Sequence, residues 1–396
     1  MRAAFVIPFY GAAIGGGAET QCRLMAENLW KRGVDLEIIT TCIKDFTSDW
    51  SRNHHPPGLG EVNGVPVRRF EVRPVDGHTL ARVNEKLMAR APVTLEEELD
   101  YVDNAVNSDA MYHFIGENKS GYVYFFMPYL FGTTLHGVNI APEKSFIIPC
   151  LHDEGYADMR ITRRAFQKAC GVLFNSRAEM RLAMRMYGGL KLTEPVLMGE
   201  GVDEMESADG PRFRAKHGLG DAPFILYAGR RDHTKNTPFL VECFRKYRKL
   251  KPSSPMKLVS MGPASVPIPD GIKDHVLDLG YVPLQEKRDA MAAATVLCQP
   301  SLMESFSLVI MESWLCGRPV MVHSACEVTR DHVETSGGGF SFGGFPEFYE
   351  QIEALLANPA LGDKMGKLGG EYVRANYGWD VICGRFMRLL EAAREL

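Results

Sequence analysis

The chain has 396 residues, which is too long for one ordinary hydrophobic core and indicates two domains of roughly 150–200 residues each. Hydrophobic residues make up 45% of the chain and charged residues 24%, as in soluble globular proteins. The net charge of −4 leaves no basic excess, so nucleic acid is not expected as a partner. The 9 cysteines form no C-x-x-C pair and are expected to be reduced and mostly buried, as in a cytoplasmic protein.

Strand and helix patterns alternate from the N-terminus onward. The first apolar run, Ala3–Ile7, is interpreted as a buried strand rather than a secretion signal, because it stops at Pro8 after few residues. A glycine-rich loop, a helix over Glu19–Lys31 and a strand over Leu36–Thr40 follow. Such β-loop-α-β units predict a parallel sheet with helices on both faces. No run of about 18 or more apolar residues occurs, so no membrane-spanning helix is predicted.

The middle of the chain interrupts this rhythm and then resumes it. Residues 44 to about 95 are predicted to form loops and small elements, with a short strand, at the rim of a site, and Glu96-Glu97-Glu98 a solvated helix face. The stretch Gly199–Asp221 is the predicted linker to a second α/β unit. Two doubly wound domains are expected to bind a ligand in a crevice between them. Beyond the first two strands, strands are predicted at Val65–Phe70, Tyr122–Phe126, Ser145–Pro149, Gly171–Phe174, Pro195–Met198, Phe224–Ala228, Lys257–Ser260, Val276–Leu279, Thr295–Cys298 and Pro319–Val322.

The most informative feature is a pair of glutamates, Glu304 and Glu312, between two predicted strands of the second unit. The pattern places Glu304 just before a helix N-terminus and Glu312 on the body of that helix. The N–H groups and dipole of the N-terminus suit an anion such as a diphosphate. The two carboxylates can accept hydrogen bonds from sugar and ribose hydroxyl groups. The alternative is two ordinary acids on a helix surface.

Two further loops are of interest, and each follows the predicted first strand of one α/β unit. Gly15-Gly16-Gly17 opens a helix, and its glycines allow backbone N–H groups to approach a phosphate. It lacks the G-x-G-x-x-G pattern, which argues against a nicotinamide dehydrogenase. In the loop Gly229–Asn236, Arg230 and Lys235 are candidates to bind a diphosphate. The alternatives are a flexible turn for the first loop and a solvated basic loop for the second.

A histidine follows another predicted strand and is a candidate for a hydrogen bond to a sugar hydroxyl. His152 lies just past the strand end, although a lone histidine is more often structural. No Asp-x-Asp motif occurs in the chain, and neither a catalytic metal nor a cofactor is predicted. Arg177, Arg181 and Arg185 are spaced to line one helix face, which is either a solvated face or a weak contact with an anionic membrane surface.

Taken together, these motifs resemble the family 4 glycosyltransferases, which have the GT-B fold. The resemblance runs through most of the chain but leaves residues 44–120 without a recognised pattern. It implies two Rossmann-like, doubly wound parallel-sheet domains facing a central cleft. The motifs that carry it, in order, are Gly16-Gly17-Ala18-Glu19, Gly201-Val202-Asp203, the Gly229–Asn236 loop, Gly280-Tyr281-Val282-Pro283, the Glu304–Glu312 run and Cys316-Gly317-Arg318-Pro319-Val320.

The resemblance also implies domain limits. An acceptor-binding domain is expected over residues 1–203 and a nucleotide-sugar-binding domain over 204–379. The last helix, about 380–396, is expected to pack back on the first domain.

The resemblance further implies roles for single residues. Arg230 and Lys235 bind the donor diphosphate, while Glu304 and His152 lie near the donor sugar; these four form the catalytic set. Ser307 stands where the family more often has glycine. The remaining donor-binding positions are Gly16 and Gly17 in the first domain, Tyr281 and Val282 in the base-binding loop, Phe306, Ser307 and Leu308 at the helix start, and Glu312 on the ribose.

The predicted activity follows from these roles. The chain is expected to move a hexose-type sugar from a UDP- or GDP-linked donor to a saccharide or lipid-linked saccharide, with retention and without metal. Bacterial surface-polysaccharide or glycolipid assembly is the expected setting, and a cytoplasmic location with peripheral contact at the inner membrane face is predicted. The alternatives are another GT-B enzyme, such as a sugar-nucleotide epimerase or a phosphorylase, and a catalytically silent nucleotide-binding scaffold. The nucleotide base, the sugar, the acceptor and the oligomeric state stay open.

Overall fold

The computed structural model of the protein describes residues 1–191 and 197–394. The chain divides into two compact units. The first comprises Met1–Gly201 with the segment from Trp379 onward, and the second comprises Val202–Gly378. Each unit has a sheet of largely or wholly parallel strands connected by helices, because strands that alternate with helices pair in parallel. The predicted α/β class with two Rossmann-like parallel-sheet units is confirmed.

The sheet of the first unit has seven strands in the spatial order β3-β4-β2-β1-β5-β6-β7. All neighbours pair in parallel except the edge pair β3 and β4, which is antiparallel. Phe174 and Leu197 form an isolated bridge beyond the last strand, and residues 195–196 of the strand predicted there lie outside the described residues. The strands are β1 (Arg2–Ile7), β2 (Leu36–Thr41), β3 (Gly58–Val62), β4 (Val65–Phe70), β5 (Tyr122–Phe126), β6 (Ser145–Ile147) and β7 (Gly171–Val172).

The predicted strand Val65–Phe70 is confirmed, but residues 44–95 are more regular than the loops and small elements that the sequence predicted. This region supplies the edge hairpin of the sheet and a complete helix. The helix begins after Asp76, whose carboxylate accepts hydrogen bonds from the backbone N–H groups of His78 and Thr79. The helices of the first unit before its last segment are α1 (Gly17–Lys31), α2 (Gly77–Met88), α3 (Leu95–Asn104), α4 (Asp109–Glu117), α5 (Gly132–Leu135), α6 (Gly155–Asp158), α7 (Arg160–Lys168) and α8 (Arg177–Met186).

The prediction that Glu96-Glu97-Glu98 form a solvated helix face was wrong for one of the three residues. Glu98 is buried, and its carboxylate accepts hydrogen bonds from Arg160 Nε at 3.0 Å and from the backbone N–H of Ile161 at 3.1 Å. Because these donors lie at the start of α7, Glu98 joins α3 to α7 instead of facing water.

The sheet of the second unit has six parallel strands in the order β10-β9-β8-β11-β12-β13. Its central strands are apolar and buried, as expected for a parallel sheet covered on both faces. The order reverses at β8, which is the strand that precedes the Gly229–Asn236 loop. The strands are β8 (Phe224–Ala228), β9 (Lys257–Met261), β10 (Val276–Asp278), β11 (Val296–Gln299), β12 (Val320–His323) and β13 (Gly339–Phe342).

One long helix of the second unit contains glycines that allow close packing. A Cβ atom on Gly366 would lie 2.0 Å from the carbonyl oxygen of Gly317, and one on Gly369 would lie 2.2 Å from Trp314. These glycines therefore lie within one continuous helix and bring it close to its neighbours. The helices of the unit are α9 (Gly210–Lys216), α10 (Thr237–Leu250), α11 (Leu284–Ala293), α12 (Leu308–Leu315), α13 (Glu327–Ser336), α14 (Phe345–Ala357) and α15 (Pro359–Tyr377).

The final helix, α16 (Trp379–Arg394), packs on the first unit. Phe386 stacks on Phe5 of β1 with ring centroids 5.3 Å apart and lies 4.6 Å from the ring of Phe125 in β5. Asp380 pairs with Arg32, at the end of α1, at 2.6 Å. Residues 395–396 of the helix expected over 380–396 lie outside the described residues.

Candidate active site

The loop after β8 is held in shape by one aspartate. Asp232 accepts hydrogen bonds from the backbone N–H of Lys235 at 3.0 Å and from Thr234 Oγ1 at 2.6 Å. Arg230 Nε lies 2.5 Å from the same carboxylate, and 53% of the Arg230 side chain is exposed. The loop therefore presents an accessible guanidinium near the carboxyl end of the strand, where ligands bind in parallel sheets.

Lys235 and Glu304 are in direct contact, which the sequence did not predict. Lys235 Nζ lies 2.8 Å from Glu304 Oε1, and Gln299 Nε2 donates to the same oxygen at 3.1 Å. Asn236 Nδ2 donates to the carbonyl oxygen of Pro300 at 3.0 Å. These contacts join the loops after β8 and β11, so a cation and a carboxylate are fixed side by side at one edge of the sheet.

The helix α12 begins as the sequence predicted, four residues after Glu304. Ser307 precedes the helix with φ of +79°, a left-handed conformation that favours glycine. Its Oγ is buried, and no hydrogen bond to it occurs among the described residues. The first N–H groups of the helix, beginning with Leu308, have no partner within the helix and point towards its N-terminal end.

The aromatic ring of Phe306, a predicted donor-binding residue, is part of the hydrophobic core of the second unit. It is 1% exposed and packs 4.8 Å from Tyr377 and 5.4 Å from His332, measured between ring centroids. Its side chain therefore supports the start of α12 from inside and is not exposed to a ligand.

Glu312 lies on the body of α12 and is paired with a lysine that the sequence analysis missed. Lys287 Nζ of α11 lies 2.7 Å from one oxygen of the Glu312 carboxylate and 2.8 Å from the other. No spacing rule links these two residues, because a strand separates their helices in the sequence. Only the packing of α11 against α12 brings them together.

The predicted base-binding loop follows β10. Gly280 has φ of +62°, and its carbonyl oxygen accepts a hydrogen bond from the backbone N–H of Gly262 at 2.7 Å. The side chain of Tyr281 is 83% exposed, and that of Val282 is half-buried. Tyr281 is thus an accessible aromatic side chain beside the first turn of α11.

The glycine loop of the first unit lies between β1 and α1. Gly16 has φ of +147°, and a Cβ atom there would lie 2.0 Å from Oε2 of Glu19. The backbone conformation therefore favours glycine at this position, whereas the flexible Glu19 side chain can move away from a Cβ atom. Gly17 is the first residue of α1, and both glycines are exposed.

His152 lies in the loop between β6 and α6, with 31% of its side chain exposed. Its Nδ1 atom lies 3.7 Å from Glu154 Oε1, which also accepts a hydrogen bond from the Tyr129 hydroxyl at 2.8 Å. The ring is thus neither buried as a core histidine would be nor free on the surface. Its neighbours on one side are polar.

A buried glutamate holds the backbone of this loop. Glu179 accepts hydrogen bonds from the backbone N–H of Leu151 at 2.6 Å and that of Asn175 at 2.5 Å. Burial raises the pKa of its carboxyl group to about 7. Sequence reasoning missed Glu179, although Ser176 and Glu179 have the S-x-x-E spacing of a helix start.

Within residues 1–191 and 197–394, no three or more His, Cys, Asp and Glu side chains are grouped so as to hold a metal ion. Over the same residues, no helix combines the length and the apolar character needed to cross a membrane. All 9 cysteines are free thiols, and burial raises the pKa of Cys22, Cys150 and Cys298.

Comparison with known proteins places the second unit in a described family. A family profile named "Glycosyl transferases group 1" matches residues 222–358, which include the β8 loop, Tyr281, Glu304 and Glu312. The chain is 25% identical to a D-inositol 3-phosphate glycosyltransferase of Kribbella flavida, over 57% of each chain. It is 24% identical to a GDP-mannose-dependent phosphatidylinositol monomannoside mannosyltransferase of Mycolicibacterium smegmatis, over 62% of this chain and 69% of the relative. The match thus spans little more than half the length of the first of these relatives.

Solved structures share the fold over the whole chain. A sucrose-phosphate synthase from Thermosynechococcus elongatus has a TM-score of 0.70 and 17% identity, covering 99% of this chain and 100% of that one. At this identity the likeness establishes the architecture of two parallel-sheet units and not the substrate.

Proposed function

We propose that this chain, which has the GT-B fold and whose residues 222–358 match the group 1 glycosyltransferase profile, is a retaining and metal-independent hexosyltransferase that uses a nucleoside-diphosphate sugar. The observation that carries the proposal is the cluster at the carboxyl edge of the second sheet. There Lys235 touches Glu304, the N-terminus of α12 follows, and Glu312 lies one helix turn further on. The cation and the helix N-terminus can bind the diphosphate of a nucleotide sugar, and the two carboxylates can accept hydrogen bonds from its hydroxyl groups.

The proposed chemistry depends on negative charge that develops on the leaving diphosphate. Arg230, Lys235 and the first N–H groups of α12 stabilise that charge, and preorganised electrostatic groups of this kind usually supply the largest catalytic term. Glu304 accepts hydrogen bonds from hydroxyl groups of the transferred sugar, and Glu312 accepts them from the ribose. In the retaining scheme that the family resemblance implies, the leaving phosphate assists deprotonation of the acceptor hydroxyl on the same face.

The residues of the first unit have different proposed roles. Gly16 and Gly17 offer backbone N–H groups to the diphosphate, and His152 donates a hydrogen bond to a sugar hydroxyl. The position of His152 is fixed by the loop that Glu179 holds. The family resemblance carries these roles, and the exposure of all three residues is compatible with them.

The acceptor is proposed to be a saccharide or a lipid-linked saccharide. Support comes from the name of the Mycolicibacterium relative, whose acceptor is a phosphatidylinositol monomannoside. Arg163, Arg164 and Lys168 are exposed on α7, and we propose that they contact an anionic membrane surface. Flotation with vesicles that contain anionic lipid, compared with neutral vesicles, tests this contact.

Alanine variants at the β8 loop test the catalytic proposal. A thermal-shift screen of UDP, GDP and ADP sugars first identifies the donor, because specific binding raises the melting temperature. Arg230→Ala and Lys235→Ala are then expected to lower turnover by about 10²–10³, the range for losing one preorganised contact. The matched control is Arg245→Ala on α10, an exposed arginine paired with Glu242. It should retain full activity.

The same assay separates the alternatives. Release of nucleoside diphosphate only when an acceptor is present indicates transfer, whereas an epimerase or a phosphorylase would not show this dependence. A scaffold would bind nucleotide without turnover. Activity that EDTA abolishes and Mg²⁺ restores would contradict the metal-independent mechanism, and unchanged turnover in both alanine variants would remove Arg230 and Lys235 from the site.

A further inference from the structure

The ion pair between Lys287 and Glu312 has a geometry that suits it to a role in donor binding. Lys287 Nζ is nearly equidistant from the two carboxylate oxygens, at 2.7 and 2.8 Å. The Lys287 side chain is 29% exposed and that of Glu312 is 14% exposed. No other described residue makes a hydrogen bond or ion pair with the Glu312 carboxylate. A single ammonium group therefore fixes the orientation of this carboxylate on the surface of α12.

A carboxylate with this contact still has capacity to bind a ligand. Its two oxygens offer about four acceptor sites, and an ammonium group that bridges both oxygens occupies about two of them. One site remains on each oxygen, which matches a vicinal diol that donates two O–H groups. Hydrogen bonds to a carboxylate are also stronger than those between neutral groups.

We propose that Lys287 is a positioning residue for the ribose of the donor. It holds the Glu312 carboxylate oriented so that the 2′- and 3′-hydroxyl groups each donate to one oxygen. This inference rests on the proposed function, because it assigns the diol to a nucleoside diphosphate. It adds a residue that lies on a different helix from the Glu304–Glu312 run.

A purely structural ion pair would behave differently. Loss of the pair would change the melting temperature in the same way whether its role is structural or positioning, so the melting temperature does not separate the two roles. A structural pair would leave nucleotide affinity unchanged. The diagnostic quantity is therefore the dependence of affinity on the ribose hydroxyl groups, which only a contact transmitted through Glu312 would alter.

The test uses the full chain and the nucleoside diphosphate among UDP, GDP and ADP that gives the largest thermal shift, with its 2′,3′-dideoxy analogue. Calorimetry measures the affinity of both ligands for the wild type, Lys287→Met, Lys287→Arg and Glu312→Gln. We expect Lys287→Met to weaken binding of the ribonucleotide by about tenfold, the loss typical of a charged hydrogen bond. We expect no further effect on the dideoxy analogue, and partial recovery in Lys287→Arg. The matched control is Lys251→Met, which removes an ion pair with Glu353 at 2.7 Å and should not change affinity.

Each other outcome has a defined meaning. Equal weakening of both ligands in Lys287→Met would overturn the proposal, since the lysine would then act on the phosphates or the base. Tighter binding in Lys287→Met would overturn it as well, because Lys287 would be competing with the ribose for Glu312. Failure of the wild type to bind any nucleoside diphosphate would instead refute the proposed function itself.

Discussion

Ser307 combines two unfavourable features at the start of α12. Its φ of +79° is strained for any residue with a Cβ atom, and its buried hydroxyl group has no partner among the described residues. It precedes the helix but does not cap it, although serine is a preferred capping residue. Strained backbone of this kind is most often retained where the N–H groups around it bind a ligand.

Replacing this serine by glycine should therefore stabilise the protein. Ser307→Gly is expected to raise the free energy of unfolding by about 1–2 kcal/mol, because the strain in the folded state is relieved. Donor affinity should change less than about twofold, since the backbone N–H groups are retained. Denaturant unfolding and calorimetry measure the two quantities. Ala264→Gly, at an exposed position with φ of +61°, is the control for strain alone. A destabilised Ser307→Gly variant would show that the hydroxyl has a structural partner.

For single residues, the sequence predicted the position of a residue relative to strands and helices better than the residues that it contacts. Glu304 and Arg230 were expected after strand ends because local patterns show where strands and helices stop. The pairs Lys235–Glu304 and Lys287–Glu312 were not predicted, because each joins two elements that are distant in the chain. The interior position of the Phe306 ring was missed for the same reason.

At the scale of elements, buried strands were the most predictable. Val65–Phe70, Tyr122–Phe126 and Phe224–Ala228 were predicted with the ends that the structure shows. In the last two, apolar side chains form a continuous short run. The edge strand Gly58–Val62 was missed, because it is exposed and contains two glycines. The helix α15 continues through its glycines, because Trp314 packs against Gly369 and the backbone of Gly317 packs against Gly366.

The loop that carries His152 and the start of α8 are joined by Glu179, which makes their stability depend on pH. Burial raises the pKa of Glu179 from 4.5 to about 7, so between these values the folded protein keeps a proton that the unfolded chain releases. Stability should therefore fall as the pH rises through this window. The loss should level off above pH 7 and amount to at most about 3 kcal/mol.

Glu179→Gln tests this expectation, because glutamine does not titrate. We expect the wild type to lose stability relative to Glu179→Gln when the pH is raised from 5 to 8. Denaturant unfolding at both pH values measures it. A difference that is the same at both pH values would show that Glu179 titrates alike in the folded and unfolded protein. Lower turnover in the folded variant would support a link from Glu179 to His152.

At the scale of the whole molecule, repeated strand-helix alternation was enough to predict two α/β units. The sequence contains no local signal for the unit on which α16 packs, because an amphipathic helix shows only that one of its faces is buried. That information lies in long-range contacts such as those of Phe386 with Phe5 and Phe125. The family resemblance supplied an expectation that residue patterns could not.

The distribution of candidate donor contacts leads to a prediction for the full chain. Arg230, Lys235, Glu304 and Glu312 belong to the second unit, together with the N–H groups at the start of α12. Binding of the nucleoside diphosphate should therefore slow amide hydrogen exchange chiefly in residues 229–236 and 304–312, because bound N–H groups and ordered loops exchange less often. The edge hairpin of the first unit should not change.

Hydrogen exchange with mass spectrometry measures this pattern with and without ligand, at ligand concentrations well above the dissociation constant. The double variant Arg230→Ala with Lys235→Ala is the control. Because it should bind the ligand more weakly, it should be less protected from exchange than the wild type at the same ligand concentration. Protection confined to the first unit would contradict the assignment of the donor to the second sheet. Protection of residues 304–312 without that of 229–236 would keep the helix N-terminus in the site but remove the β8 loop.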